Sequence, residues 1–171
     1  MTDANKNIDI IEPKSQLSLF GYENYFNSFI KLYKKNKLPK VILLNGPKGI
    51  GKATFAYHFI NYLLSNNEEN KYLINDFKIN YENVSYKLTS NETHPNLFLL
   101  QNNLFDEDIK IDQVRSLLRF LSKSAFSRNI KIVMIDNAEY LNLNSSNALL
   151  KALEEPNDNT FFFIIQNSST K

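Results

Sequence analysis

The sequence predicts an α/β domain in which a parallel β-sheet is covered by helices on both faces. Short apolar runs alternate with longer segments whose apolar residues recur every three or four positions. A glycine-rich stretch joins the first apolar run to the helix after it, and the third apolar run ends on a carboxylate.

The elements follow in order. After a polar start over residues 1–18, Tyr22, Tyr25, Phe26, Phe29, Ile30 and Tyr33 recur at helical spacing up to the basic stretch Lys34, Lys35 and Lys37. Pro39 interrupts, and Val41, Ile42, Leu43 and Leu44 form the kind of run that is buried on both faces of a parallel sheet. A second helix is expected from Lys52 to about Leu64, offering Phe55, Phe59, Ile60, Leu63 and Leu64 for packing. Over residues 65–93 the pattern dissolves into Asn, Glu, Lys and scattered aromatics, which predicts a variable loop or small insertion rather than a core element. Residues 96–100 read as a second strand. Val114, Leu117, Leu118 and Leu121 mark a helix with Asp112 as its N-cap. Residues 130–135 read as a third strand. Asn144 or Ser145 caps a helix carrying Ala148, Leu149, Ala152 and Leu153, which Pro156 ends, and residues 161–165 supply a fourth strand. Residues 19–171 thus form one doubly wound domain.

Composition excludes several classes. A chain of 171 residues with 43% hydrophobic and 22% charged residues is sized and composed as one soluble globular domain. Thirteen Phe and nine Tyr without a Trp predict a core built from aromatic rings. A net charge of +2 is too small for a nucleic-acid coat, so any DNA contact must be local. Arg115, Arg119 and Lys123 share one helix face, a candidate phosphate-tracking stripe that reads more readily as a solvated face. The absence of Cys rules out disulfides and thiolate zinc sites. His58 and His94 have no ligand-like spacing. Residues 1–14 lack the apolar stretch of a signal peptide, and the longest apolar run is far below the roughly 18 residues of a membrane span. A cytoplasmic protein is expected.

Two stretches carry chemistry. Gly46-Pro47-Lys48-Gly49-Ile50-Gly51-Lys52 gathers three of the chain's four glycines between a strand and a helix. Glycines let backbone amides curl around phosphate oxygens, the helix presents its positive end, and Lys52 reaches the terminal phosphates of a nucleotide, ATP or ADP. Ala53 stands where such a loop has a Ser or Thr whose hydroxyl coordinates magnesium, and Thr54 comes one residue late, turned by about 100° along the helix. The third strand ends at Asp136, placed to meet a Mg2+ ion through water, but Asn137 occupies the next position, where a Glu would activate the attacking water. Glu139 reads as an exposed loop acid. Nucleotide binding is better supported by these residues than magnesium-dependent hydrolysis.

The loop from Gly46 to Thr54, together with Asn147-Ala148-Leu149-Leu150-Lys151-Ala152-Leu153-Glu154-Glu155-Pro156, resembles the delta-prime clamp-loader subunits of bacterial DNA polymerase III. His94-Pro95-Asn96 and Ile111-Asp112-Gln113-Val114-Arg115 resemble further pieces in the same order, and the likeness runs from about Leu19 onward. The resemblance implies an AAA+ fold and a comparatively rigid member of the pentameric ATPase that opens the sliding clamp and places it on primed DNA. Its implied partners are the motor and delta-type subunits, with the sliding clamp and primer-template DNA reached through the assembly. Asn167 matches the polar sensor position facing the phosphates. Many relatives carry a four-cysteine zinc module after the first helix of the loop; here residues 65–93 must be metal-free. The family's Ser-Arg-Cys motif, lid and collar would fall beyond Lys171, as would a fifth strand beside the first. The edge of residues 41–44 is then expected to be unpaired unless residues 8–11 fold across it. An ATP-hydrolysing motor subunit, a small-molecule kinase on the same loop and a ligand-free structural module are the alternatives. Ala53 and Asn137 argue against the first, and the scarcity of arginines against the second.

Overall fold

The computed structural model describes residues 11–102, 107–123, 130–157 and 159–168. Four strands, β1 (Val41–Gly46), β2 (Leu97–Leu100), β3 (Lys131–Ile135) and β4 (Thr160–Asn167), form one parallel sheet in the order β1-β4-β3-β2. The helices are α1 (Glu23–Lys34), α2 (Lys52–Ser65), α3 (Val84–Ser90), α4 (Ile111–Ser122) and α5 (Leu143–Glu154). Among the described residues β1 pairs with β4 alone, and Leu43 is 57% exposed. The edge is expected to be unpaired unless residues 8–11 fold across it, and residues 8–10 lie outside the described residues.

The period of two along the strands sends alternate side chains into two cores. Ile132 and Met134 of β3, with Phe161, Phe163 and Ile165 of β4, meet α1 and α2. Val133, Ile135 and Phe162 meet Val114 and Leu117 of α4 and Leu149 of α5. This is a three-layer α/β/α arrangement, as the alternation predicts. The first core is aromatic: the fully buried Phe26 ring lies 5.0–6.2 Å from the rings of Phe55, Phe59, Tyr62, Tyr72 and Phe77.

Several expectations are corrected. Residues 65–93 hold the helix α3 and contribute Tyr72 and Ile79 to the first core. Polar contacts clip this segment to α2. Buried Asn61 and Asn83 exchange amide hydrogen bonds of 3.1 and 3.0 Å, and the Glu68 carboxylate accepts from the backbone amides of Val84 and Ser85. The described part of the polar start is packed rather than loose: Ile79 N donates to Leu17 O and Leu19 N to Phe77 O. Helix α4 begins two residues earlier than an Asp112 cap requires. Its N-cap is Lys110, whose backbone N–H donates to the Gln113 side chain at 2.9 Å, one half of a capping box. Helix α5 is capped by Asn142, not Asn144 or Ser145, its Oδ1 accepting from Ser145 N at 2.9 Å. Arg115 reaches Asp112 and Arg119 reaches Ser116 on the solvated face, as read. No helix among the described residues is long and apolar enough to cross a membrane.

Candidate functional site

Parallel strands bring their C-terminal ends to one edge, and the register sets Gly46 opposite Asn167. The Gly46–Lys52 loop leaves β1 there and turns into α2. Gly49 and Gly51 hold φ of +86° and +91°, where side-chain-bearing residues are strained, and a Cβ on Gly51 would sit 3.3 Å from the Tyr22 ring. The Tyr22 hydroxyl in turn donates to Ile50 O at 2.7 Å, so the start of α1 braces the loop from outside.

Helix α2 begins without a side-chain cap and without an acidic residue in its first turn. Its N-terminal amides therefore face the cleft with the positive end of the helix dipole behind them, which suits a phosphate. The cleft, of about 430 Å3, is walled by Lys48, Gly49, Thr54, Asp136, Asn137 and Asn167 among others, and both Ala53 and Thr54 line it. The Lys52 ammonium donates to Gly46 O (2.9 Å), Pro47 O (2.6 Å) and Asn167 Oδ1 (2.9 Å). Burial pulls its pKa below the ordinary lysine value, against the opposing pull of Glu139 and Asp136.

On the far wall Asp136 is half-buried, and desolvation raises its pKa although Asn137 N donates to its Oδ1 at 2.9 Å. Asn137 holds φ of +58°, a conformation Asn tolerates better than most residues, and from it the chain enters the 3-10 turn Ala138–Tyr140. That turn carries Glu139 back to β4. Glu139 is exposed, as read, but it is not an idle loop acid: its carboxylate accepts from Asn167 N (3.1 Å) and Asn167 Nδ2 (2.7 Å). Asn167 Nδ2 also donates to Asn137 Oδ1 at 2.9 Å, and Asn137 Nδ2 to Asn102 Oδ1 at 3.2 Å.

The structure brings Lys48, Gly49, Gly51, Lys52, Ala53, Thr54 and Asn167 to one cleft with Asp136 and Asn137, while Gly46 and Pro47 turn their carbonyls to Lys52 and the Ile50 side chain is exposed. Sequence reading missed Tyr22 and Glu139, which act through a hydroxyl and a turn far from the motif in sequence. The amides of α2, the glycine loop and Lys52 fit a nucleotide's phosphates. A magnesium ion finds less. No group of three His, Cys, Asp or Glu side chains among the described residues could hold a metal, and Ala53 supplies no hydroxyl.

Residues 21–171 match the family model described as DNA polymerase III, delta subunit. The chain belongs to that family. It is 34% identical over 129 residues to DNA polymerase III subunit delta' of Pseudomonas aeruginosa, covering 75% of this chain and 38% of that protein. With DNA polymerase III subunit delta' of Escherichia coli K12 it is 25% identical over 139 residues, covering 81% and 40%. The chain therefore spans about two fifths of the length of these family members. Its fold is similar to that of a DNA polymerase III gamma subunit-related protein of Thermotoga maritima, at 18% identity and a TM-score of 0.50 over 81% of this chain and 39% of that one. PCH-2 of C. elegans matches at 18% identity and a TM-score of 0.50 over 91% of this family member and 40% of PCH-2. These likenesses show the fold, a parallel sheet covered by helices on both faces.

Proposed function

We propose that the chain is the nucleotide-binding part of a delta-prime-type clamp-loader subunit acting in cytoplasmic DNA replication. In this reading it binds ATP or ADP weakly at the Gly46–Lys52 loop and hydrolyses it negligibly. It contributes to clamp loading by assembling with motor and delta-type subunits, and meets the sliding clamp and primer-template DNA through that assembly. The observation that carries the reading is a site complete on one wall and depleted on the other. The glycine loop, uncapped α2 and Lys52 offer donors to phosphate, while Ala53 and Asn137 supply neither a metal-binding hydroxyl nor a general base.

When bound, magnesium would neutralise phosphate charge, and Asp136 is the side chain placed to meet its water shell. Lys52 and the α2 amides bind and orient the phosphates; Asn137, an amide, cannot take a proton from water. Calorimetric titration of the chain with ADP, with and without Mg2+, should show binding that changes little on adding the metal. Steady-state ATPase of the purified chain should be absent, and robust turnover would instead identify a motor subunit. Mixing with motor and delta-type subunits should give a co-eluting complex on size exclusion, and failure to co-elute would remove the assembly half of the proposal.

A further inference from the structure

The hydrogen bonds around Asn167 have a direction, and that direction is set by the charged groups at their two ends. An ammonium can only donate and a carboxylate can only accept. Lys52 therefore requires an oxygen from Asn167, and Glu139 requires a nitrogen. Both demands are met: Oδ1 accepts from Lys52 Nζ at 2.9 Å, and Nδ2 donates to Glu139 Oε1 at 2.7 Å. The second oxygen of Glu139 holds the Asn167 backbone N–H at 3.1 Å, so the carboxylate grips the residue at two points. Asn137 Oδ1 reinforces the same sense by accepting from Nδ2 at 2.9 Å. Turning the Asn167 amide over would set its NH2 against the Lys52 ammonium and its oxygen against the Glu139 carboxylate.

Lys52 has three donors, and Gly46 O, Pro47 O and Asn167 Oδ1 take all three. To reach a phosphate it must release one of them. Gly46 O and Pro47 O are fixed in the backbone of the loop, so the side-chain partner Asn167 is the one that can give way. The grip of Glu139 on Asn167 opposes that release. Glu139 also keeps the Asn167 NH2, the group that could donate to a phosphate oxygen, turned toward itself and Asn137.

We propose that Glu139 is a positioning residue that latches Asn167 onto Lys52 and thereby lowers the affinity of the loop for nucleotide phosphates. The inference rests on the reading of the cleft as a nucleotide site. It assigns the weakness of binding to a residue outside both motifs.

Glu139→Gln keeps the size of the side chain but removes the charge that grips Asn167, so the latch weakens while Lys52 and Asn137 still set the sense of the amide. ADP affinity of the 171-residue chain, read by calorimetry, should rise about fivefold, the worth of one hydrogen bond. Removing a negative charge near the phosphates would also tighten binding, and a double-mutant cycle separates the two causes. In an Asn167→Ala background the side-chain latch no longer exists, so Glu139→Gln should then give only the smaller gain that comes from removing the charge. A gain of equal size in both backgrounds would overturn the latch in favour of simple charge removal, and no gain in either would overturn it outright. The second readout is the side-chain NH2 pair of Asn167 in proton–nitrogen spectra without nucleotide, which should shift and exchange faster in Glu139→Gln. If neither wild type nor variants bind ADP, the nucleotide reading is what fails, and the spectrum alone decides. An Asn167 NH2 pair unchanged by Glu139→Gln overturns the latch, and a released pair upholds it.

Discussion

Two loops leave the same end of the sheet, one after β1 and one after β3, and each leads toward a helix. They are built on opposite principles. The loop after β3 satisfies itself: Asn142 caps α5 through Ser145 N, Ser145 Oγ donates to Ile109 O at 2.8 Å, and Ile109 N donates to Tyr140 O at 2.8 Å. The loop after β1 does the reverse, since no side chain caps α2, its first turn has no acid, and two glycines hold left-handed φ values. Helix ends are normally closed by side chains or water, so an end left open by its own sequence is where an outside anion is best received. The closed loop contributes by holding Asp136, Asn137 and Glu139 across the cleft.

The largest effect should come from breaking the open loop. Lys52→Ala removes the ammonium held inside the loop, and charge-assisted hydrogen bonds to phosphate are worth about 2 kcal/mol or more. Calorimetry should find ADP affinity reduced at least about thirtyfold, with the urea midpoint nearly unchanged. Binding at wild-type strength would mean that the open end of α2 has no phosphate to receive.

The next effect tests what stands behind the open loop. His58 of α2 is fully buried, its Nε2 faces Gln16 O at 3.1 Å and its Nδ1 the Tyr72 hydroxyl at 2.8 Å. Because a carbonyl only accepts, Nε2 carries the proton and Nδ1 accepts from Tyr72. Burial pushes the histidine pKa down to about 4, below its ordinary 6.5. A lowered folded-state pKa means the unfolded chain binds the proton more readily. Stability is therefore full above about pH 6.5 and is lost as pH falls toward 4. Urea titrations should show a loss of about 2 kcal/mol from His58 between pH 7 and pH 5, absent in His58→Gln. An equally steep loss in His58→Gln would assign it to other groups.

Closing contacts of this kind explain what the sequence could and could not disclose. The strands, α2, and the glycine loop were legible because each depends on local period or local backbone freedom. Helix α4 starts earlier than Asp112 suggests because Gln113 supplies the cap from inside the helix, and Lys110 has no side-chain acceptor to signal it. In α5 three cap-competent residues, Asn142, Asn144 and Ser145, stand close together, and only the burial of Ser145 against Ile109 selects the first. Residues 65–93 hid their order because Asn61, Asn83, Glu68 and Ser85 hold it through polar contacts between distant positions, which leave no periodic pattern. Glu139 was unreadable for a related reason: its role depends on the left-handed turn at Asn137.

A smaller effect should come from opening the closed loop. Asn142→Ala removes the α5 cap and should cost about 1 kcal/mol in urea denaturation. ADP affinity should stay within about twofold of wild type, because the cap faces α5 and not the cleft. A large loss of affinity would show that the two loops are not separable.

The smallest effect concerns Asp136, the one place where the otherwise closed loop carries an uncompensated cost. Its half-buried carboxylate has a pKa raised above 3.8 by desolvation, which Lys52 and Lys48 offset only in part. For an acid with a raised folded-state pKa the sign runs opposite to a salt-bridged one. Ionisation is easier in the unfolded chain, so the cost is nil below the unfolded value, grows as pH rises through the folded value, and is complete at neutral pH. Asp136→Asn keeps the oxygen that accepts from Asn137 N while removing the charge. The variant should be more stable than wild type at pH 7 and equal to it near pH 3, read from urea midpoints at the two values. A side chain that destabilises its own loop is retained at a functional site more readily than in a structural one. If Asp136→Asn is instead less stable at pH 7, the carboxylate is a structural part of the closed loop, and the contrast between the two loops shortens to the open end of α2.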